Sequence, residues 1–492
     1  MTISHYFSIP VFNIMKNILI SIIIITLTST FTAYGQERYR IDLTGFSSQR
    51  FDEFSPVIYN EKIVYTSNQE GKLLITYADD ANRNLFSIFV TEPADSNIYS
   101  PPKLFSRDLV SKYNDGPVSF HQDGELLVYS RNLEKDRKVR KSGDRKQNLG
   151  LFFAVLNKGK WIPTTEFKFN NPGYSVTTPC FSPDGKYLYF ASDMPGGYGG
   201  TDIYRSKADS AAWGDPENLG AAINTAGNEI CPFITAEGRL FFSSDGHSGL
   251  GSKDIFYAAS TGPGWSDPVH LEAPINSVAD DFGLITDQEI THGYFSSDRN
   301  GTDDIFRFST RVPLLLNCDT MRMNSYCFEF WDENAPDIDS IPVLYIWEFS
   351  DSSRVEGKSV IHCLPGAGSY WARLQIIDEA TGEIFHSQSS IEFDIVDHIQ
   401  PYITSSDTIT IHMDTPFSGM ESNMPGFVIE QYIWDFGDGS FETGEQVTHS
   451  FSAPGIYDVK LGLRGYPEGM EGKELRCVVK PVLVEAALPS EE

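Results

Sequence analysis

The chain has 492 residues, too many for one ordinary core, so two or three domains are expected. Its formal charge of −29 repels nucleic acid and anionic lipid, and nucleic-acid binding is set aside. Aromatic residues make up 13% of the chain, with 40 Gly and 27 Pro, a composition that favours many short strands joined by turns and predicts an all-β fold.

The N-terminus carries Met15-Lys16, an apolar run from Ile18 to Leu27, and Ala33-Tyr34-Gly35 before Gln36. A positive start, an apolar centre and small residues at the cleavage position predict a signal peptide over residues 1–35. The rest of the sequence holds no stretch of 18 apolar residues, so no transmembrane segment is expected in the mature chain. Export would make disulfides possible for the cysteines at 180, 231, 318, 327, 363 and 477. Cys318, Cys327 and Cys363 fall in one predicted domain, where a bridge is plausible, but spacing alone leaves the pairing open. No zinc spacing or other metal or cofactor signature occurs, and none is predicted.

From residue 36 to 311 one pattern recurs five times, at intervals of 50 to 64 residues. A strand opening is followed by an aromatic strand ending in Ser-Asp or a relative of it, then by a third short strand. The clearest copies contain Pro179, Tyr187-Leu188-Tyr189-Phe190-Ala191-Ser192-Asp193 and Asp202-Ile203-Tyr204, then Pro232, Leu240 to Asp245 and Asp254-Ile255-Phe256, then Gly283, Tyr294 to Asp298 and Asp304-Ile305-Phe306. More degenerate copies open at Pro56 and Pro117. This periodicity predicts a five-bladed β-propeller, with six blades as the alternative. The fifth copy lacks a fourth strand. Spacing assigns that role to Gln36–Leu43, because Leu43 precedes Asp52-Glu53 by the nine residues that separate Leu271 from Asp280.

The propeller region resembles the WD-type, TolB-like repeats of bacterial envelope proteins, especially those of Bacteroidota. The residues that carry the resemblance are Phe181-Ser182-Pro183-Asp184-Gly185, Tyr189 to Asp193, Gly199-Gly200-Thr201-Asp202-Ile203-Tyr204 and Ile275-Asn276-Ser277. The resemblance implies an envelope binding or scaffold role, in some relatives within type IX secretion or gliding machinery. The OmpA-type domain often found in such proteins is not expected here.

Residues 345–374 and 432–461 align without a gap at an offset of 87, with 12 identities in 30 positions. Tyr432-Ile433-Trp434-Asp435-Phe436-Gly437-Asp438-Gly439 and Pro454-Gly455 with Tyr457 and Val459 resemble a PKD domain, a small immunoglobulin-like sandwich. The earlier copy has Ser350 and Ser352 where the glycines belong. The expected layout is therefore a degenerate PKD-like sandwich at 312–398, a PKD domain at 399–487 and a tail at 488–492. That resemblance implies adhesion, spacing or partner binding.

Acidic or amide dyads recur at strand openings, and Asp52, Glu53, Asp115, Glu229, Asp280 and Asp281 are the candidate ligand-binding residues. Facing a propeller mouth, they would suit a cation, a basic peptide or sugar hydroxyls. Alternatively, they hydrogen-bond turns and neighbouring blades. The Asp of each Asp-Ile-Tyr/Phe motif recurs too regularly for catalysis and is read as structural. The run Lys135–Lys146 is basic enough to dock on an anionic partner, though a solvated loop suffices. No nucleophile elbow or His-Glu-x-x-His helix occurs. A non-enzymatic envelope protein is expected, binding a protein partner or a cell-wall or surface glycan, in the periplasm or peripherally at the outer membrane; cell-surface export is the alternative location. A glycan-active enzyme using carboxylates at the propeller mouth is the alternative function.

Overall fold

The computed structural model describes residues 38–71, 84–95, 97–133, 148–209, 212–262, 264–310, 312–331, 342–470 and 472–486. The predicted signal peptide, the basic run Lys135–Lys146 and the tail beyond 486 lie outside them. The described chain is all-β, with a single 3-10 turn at Arg107–Leu109. It forms two compact units, 1–314 and 315–492.

The first unit contains five antiparallel sheets of four or five strands laid down in chain order, and a short ribbon of Pro93–Asp95 and Ile98–Tyr99. The first pairs Glu53–Tyr59, Lys62–Ser67, Ser87–Thr91 and Lys103–Leu104, and the second Asp115–Phe120, Leu126–Asn132, Leu149–Asn157 and Lys160–Glu166. The third is built on Val176–Phe181, Tyr187–Ser192 and Asp202–Asp209, with Ala212–Trp213 and Glu217–Asn218 on its outer side. The fourth runs from Glu229–Ile234 through Arg239–Ser244 and Asp254–Ala259 to Val269–His270. The fifth begins with Asp281–Thr286, His292–Ser297 and Asp304–Thr310, and its outer strand is Tyr39–Leu43 from the other end of the unit. Tyr39 pairs with Thr310 and Leu43 with Phe306, so the N-terminal strand covers the edge that the fifth repeat leaves open.

The first strand of each sheet packs against that of the next, and the fifth returns to the first. Each of these inner strands carries a register shift. At the shift the backbone turns left-handed, at Ser55 (φ 50°), Gly116 (φ 114°), Thr178 (φ 45°), Cys231 (φ 53°) and Gly283 (φ 63°). Three of these five are not glycine, which is an unusual concentration of left-handed side chains. Hydrogen bonds hold them: Cys231 N–H donates to Thr178 Oγ1 (3.2 Å), Thr178 N–H to Ser130 Oγ (3.2 Å) and Ser55 N–H to Ser296 Oγ (3.0 Å).

The second unit holds two sandwiches. The earlier packs Arg354–Glu356, Val343–Phe349, Gly368–Asp378 and Ile384–Ile395 against the pair Cys327–Trp331 and Ser359–Cys363, around Trp347, Phe349, Leu374 and Ile376. The later packs Phe427–Asp435, Gly455–Pro467 and Glu474–Glu485 against Thr415–Ser418 and Gln446–His449, around Trp434, Phe436, Leu461 and Val482. Both tryptophans donate from Nε1 to a matched carbonyl, Trp347 to Gly357 (3.2 Å) and Trp434 to Gly444 (2.8 Å). Ser352 keeps the left-handed turn of its counterpart Gly439 without being glycine, at φ 71°.

The disulfides correct the grouping of cysteines in one domain. Cys327 pairs with Cys363 inside the earlier sandwich, but Cys318 pairs with Cys477 in the later one. Asp319–Thr320 also runs parallel to Val478–Val479, and Met321 joins the later core. The earlier sandwich is thus inserted into the later one, whose first segment precedes it in the chain. Cysteine spacing could not reveal this, because the partner lies 159 residues away.

Candidate functional site

The acidic dyads open the inner strands, and each has its own partners. The first member of every dyad, or its counterpart, donates its backbone N–H to the Asp or Asn that follows the aromatic strand: Asp52 to Asn68 (2.9 Å), Asn114 to Asn132 (3.0 Å), Ser175 to Asp193 (2.5 Å), Asn228 to Asp245 (2.6 Å) and Asp280 to Asp298 (2.8 Å). The recurring Ser-Asp ending is therefore an anchor for the neighbouring strand. The second member reaches the preceding sheet through its backbone N–H, Glu53 to Asp303 O (2.6 Å), Asp115 to Phe86 O (3.0 Å), Glu229 to Thr201 O (2.6 Å) and Asp281 to Lys253 O (2.8 Å).

The carboxylates of these second members turn back into their own loops. Glu53 accepts from Ser48 N–H (3.1 Å), Asp115 from Ser111 Oγ–H (2.8 Å), Glu229 from Thr225 Oγ–H (2.6 Å) and Asp281 from Ser277 Oγ–H (2.8 Å). Arg131 lies 2.5 Å from Asp115, Arg299 2.5 Å from Asp281 and Lys253 2.5 Å from Asp280. Asp52 accepts from Asn68 Nδ2–H at 2.8 Å. The six candidates are placed as staples at the seams between sheets, tied to their own sheet and loop and, for Glu53, Asp115, Glu229, Asp280 and Asp281, to the preceding sheet as well. The Asp of the recurring Asp-Ile motifs behaves alike: Asp202 accepts from Tyr198 N–H and Asp254 from Leu250 N–H.

Among these carboxylates Glu53 has the harshest surroundings. Burial, then the nearby charges of Asp304 and Asp52, push its pKa up to about 8 against the Ser48 hydrogen bond. Burial and the charges of Asp52, Asp298 and Asp280 likewise raise Asp303 to about 6. A carboxyl whose folded pKa exceeds its unfolded value binds more protons when folded, so its contribution is complete below about pH 4.5 and is lost as pH rises toward 8. Stability should fall by on the order of 3 kcal/mol between pH 5 and 8, and Glu53→Gln should flatten most of that slope in denaturant titrations. An unchanged slope in the variant would show that Glu53 does not titrate there.

At the other end of the inner strands, beyond the left-handed residues, lies a cup of about 590 Å³ lined by all five sheets. None of the six dyad candidates lines it. Its wall contains Pro56, Pro117, Pro179 and Pro232, each following a left-handed residue, and then Val57, Val118, Cys180, Phe233 and Ile285. Proline has no N–H, so these positions present apolar surface without a backbone donor. The hydroxyls in the wall are engaged: Ser119 Oγ accepts from Phe181 N–H (3.0 Å), and Thr286 Oγ–H donates to His292 O (3.0 Å). Sequence reasoning missed the cup. Its available signal was the repeated proline one residue before an apolar position.

In each sandwich, an Asp, a Ser and a His meet. His362 Nε2 lies 2.8 Å from Asp351 and 3.0 Å from Ser353 Oγ; His449 Nε2 lies 2.9 Å from Asp438 and 3.4 Å from Ser440 Oγ. The serine hydroxyl donates to the carboxylate rather than to the imidazole, at 2.6 Å for Ser353, so no activated nucleophile results. The rings stack on Phe349 and Phe436, which makes these groups turn clasps. Although burial opposes it, the hydrogen bonds from His449 and Ser440 hold Asp438 down at about 2. Among the described residues, no cluster of His, Cys, Asp or Glu could hold a metal ion.

Residues 399–469 match the PKD domain. That match covers the later sandwich up to Gly469, including Trp434, Asp438 and His449, and leaves out its strand Glu474–Glu485. A curated relative, collagenase ColA of Clostridium perfringens, is 23% identical over 256 residues, covering 48% of this chain and 23% of the collagenase. The chain thus spans about a quarter of that relative's length. Solved structures with similarity include a putative TolB from Agrobacterium tumefaciens (14% identity, TM-score 0.26, 43% of this chain and 61% of that one) and a glycosyl hydrolase from Bacteroides ovatus (13%, TM-score 0.32, 54% and 87%).

Proposed function

We propose that this chain is an exported, non-enzymatic binding or scaffold protein of the bacterial cell envelope. In this reading the five sheets are the blades of a closed β-propeller, and the cup on its axis receives part of a partner. The sandwiches, one of them matching the PKD domain, add spacing and a second contact surface. The observation that carries the reading is the cup itself, an apolar recess of about 590 Å³ within the size range of ligand sites. Two disulfides fit an oxidising compartment and agree with the signal-like N-terminus. The resemblance of the repeats to envelope propellers extends the proposal to secretion or gliding assemblies.

The alternative of a glycan-active enzyme needs two carboxylates facing one substrate. The dyad carboxylates are instead committed to separate loops, which favours the binding role. Crosslinking in native cells, followed by fractionation, tests the proposal. Recovery with envelope proteins is expected; a partnerless pool that degrades cell-wall glycan would overturn it.

A further inference from the structure

The mouth of the cup is framed by the hairpins that join the first and second strand of each sheet. These hairpins are tied together: Tyr59 Oη–H donates to Gly124 O (3.0 Å), Gln122 Nε2–H to Asp184 O (3.0 Å) and Arg239 to Gln288 O (3.1 Å). Their cations are occupied. Lys62 is paired with Glu92 at 2.7 Å, Lys186 with Asp184 at 2.9 Å, and Arg239 is buried. Glu61, Glu125 and Glu237 stand exposed at the tips, while Asp287, at the mouth, is already held by Thr291 and His292. An apolar recess with few available donors is thus surrounded by negative charge.

We propose that the cup takes an apolar side chain presented by a basic segment of a partner polypeptide. This rests on the binding reading above and names its occupant. A strand of peptide backbone would find its hydrogen-bonding groups unmet against the proline wall, and such burial is unfavourable. An aromatic or branched side chain has no such need. The acidic tips then attract the flanking Lys or Arg, raise the encounter rate and make binding sensitive to salt.

The test uses the purified full chain and a fluorescein-labelled peptide, Gly-Lys-Lys-Trp-Lys-Lys-Gly, read by anisotropy. Replacing its Trp by Ala, or its four Lys by Glu, should each weaken binding at least tenfold, and raising salt should weaken it further. Val57→Trp, which crowds the recess, should abolish binding. Ile58→Lys, at a position 53% exposed at the mouth, should do the same if Val57→Trp fails to fold. Reversing Glu61, Glu125 and Glu237 to Lys should weaken the basic peptide and spare N-acetyltryptophanamide. Equal binding of the Lys and Glu peptides would overturn the basic flank while leaving the binding role intact. Undiminished binding by both cup variants would overturn the cup as the site, even with partners still captured in cells.

Discussion

Tyr39→Ala is expected to lower the stability of the five-sheet unit by about 3–5 kcal/mol, the range for removing a buried aromatic side chain. Tyr39 is 1% exposed and meets Phe308 edge-on at 5.8 Å. It belongs to the only strand of the fifth sheet drawn from the other end of the unit, so its loss acts on packing and on closure together. Deleting residues 38–43 should go further, because Asp304–Thr310 would become an open edge available to other chains. Hydrogen exchange at Arg307 and Ser309, whose N–H groups face the N-terminal strand as Ile305 does, with denaturant unfolding, checks both variants. Unchanged exchange after the deletion would mean that the fifth sheet is held without its N-terminal strand.

Replacing Cys318 and Cys477 by Ser should lower stability by about 5 kcal/mol in the chain-entropy account, since the bridge closes a loop of 159 residues. The loss should fall on the later sandwich, where the bridge holds Asp319–Thr320 against Val478–Val479. Removing the pair Cys327 and Cys363 should affect the earlier sandwich and cost less, because its loop of 36 residues is shorter. Calorimetry of the two double-serine variants separates these effects. Equal losses would show that the long bridge restrains the unfolded chain no more than the short one.

The repeats and the paired sandwiches were legible because alternating aromatics and turn residues mark strands locally. Tyr432, Trp434 and Phe436, and the Ser-Asp endings, carried that information without reference to distant residues. The role of the dyads was only half legible: their recurrence showed that they mattered, but nothing local showed that Glu53 N–H meets Asp303 O across 250 residues of chain. The left-handed positions were hidden for another reason. Ser55, Thr178 and Cys231 are residues that seldom adopt that conformation, and they do so because hydrogen bonds and sheet packing surround them. The cup follows from that hidden feature, since four of the five turns set the next proline into its wall and the fifth sets Leu284 there. The insertion of the earlier sandwich was invisible, because Met321 and Cys318 adjoin that sandwich in sequence while their partners lie far along the chain.

The central claim is that the cup, rather than the acidic seam residues, holds the partner. Crosslinked partners should be recovered from native cells expressing wild type, Val57→Trp and the seam variant Asp280→Asn, each shown to be folded. The account predicts partner recovery with wild type and Asp280→Asn and its loss with Val57→Trp. Loss with Asp280→Asn and full recovery with Val57→Trp would contradict it.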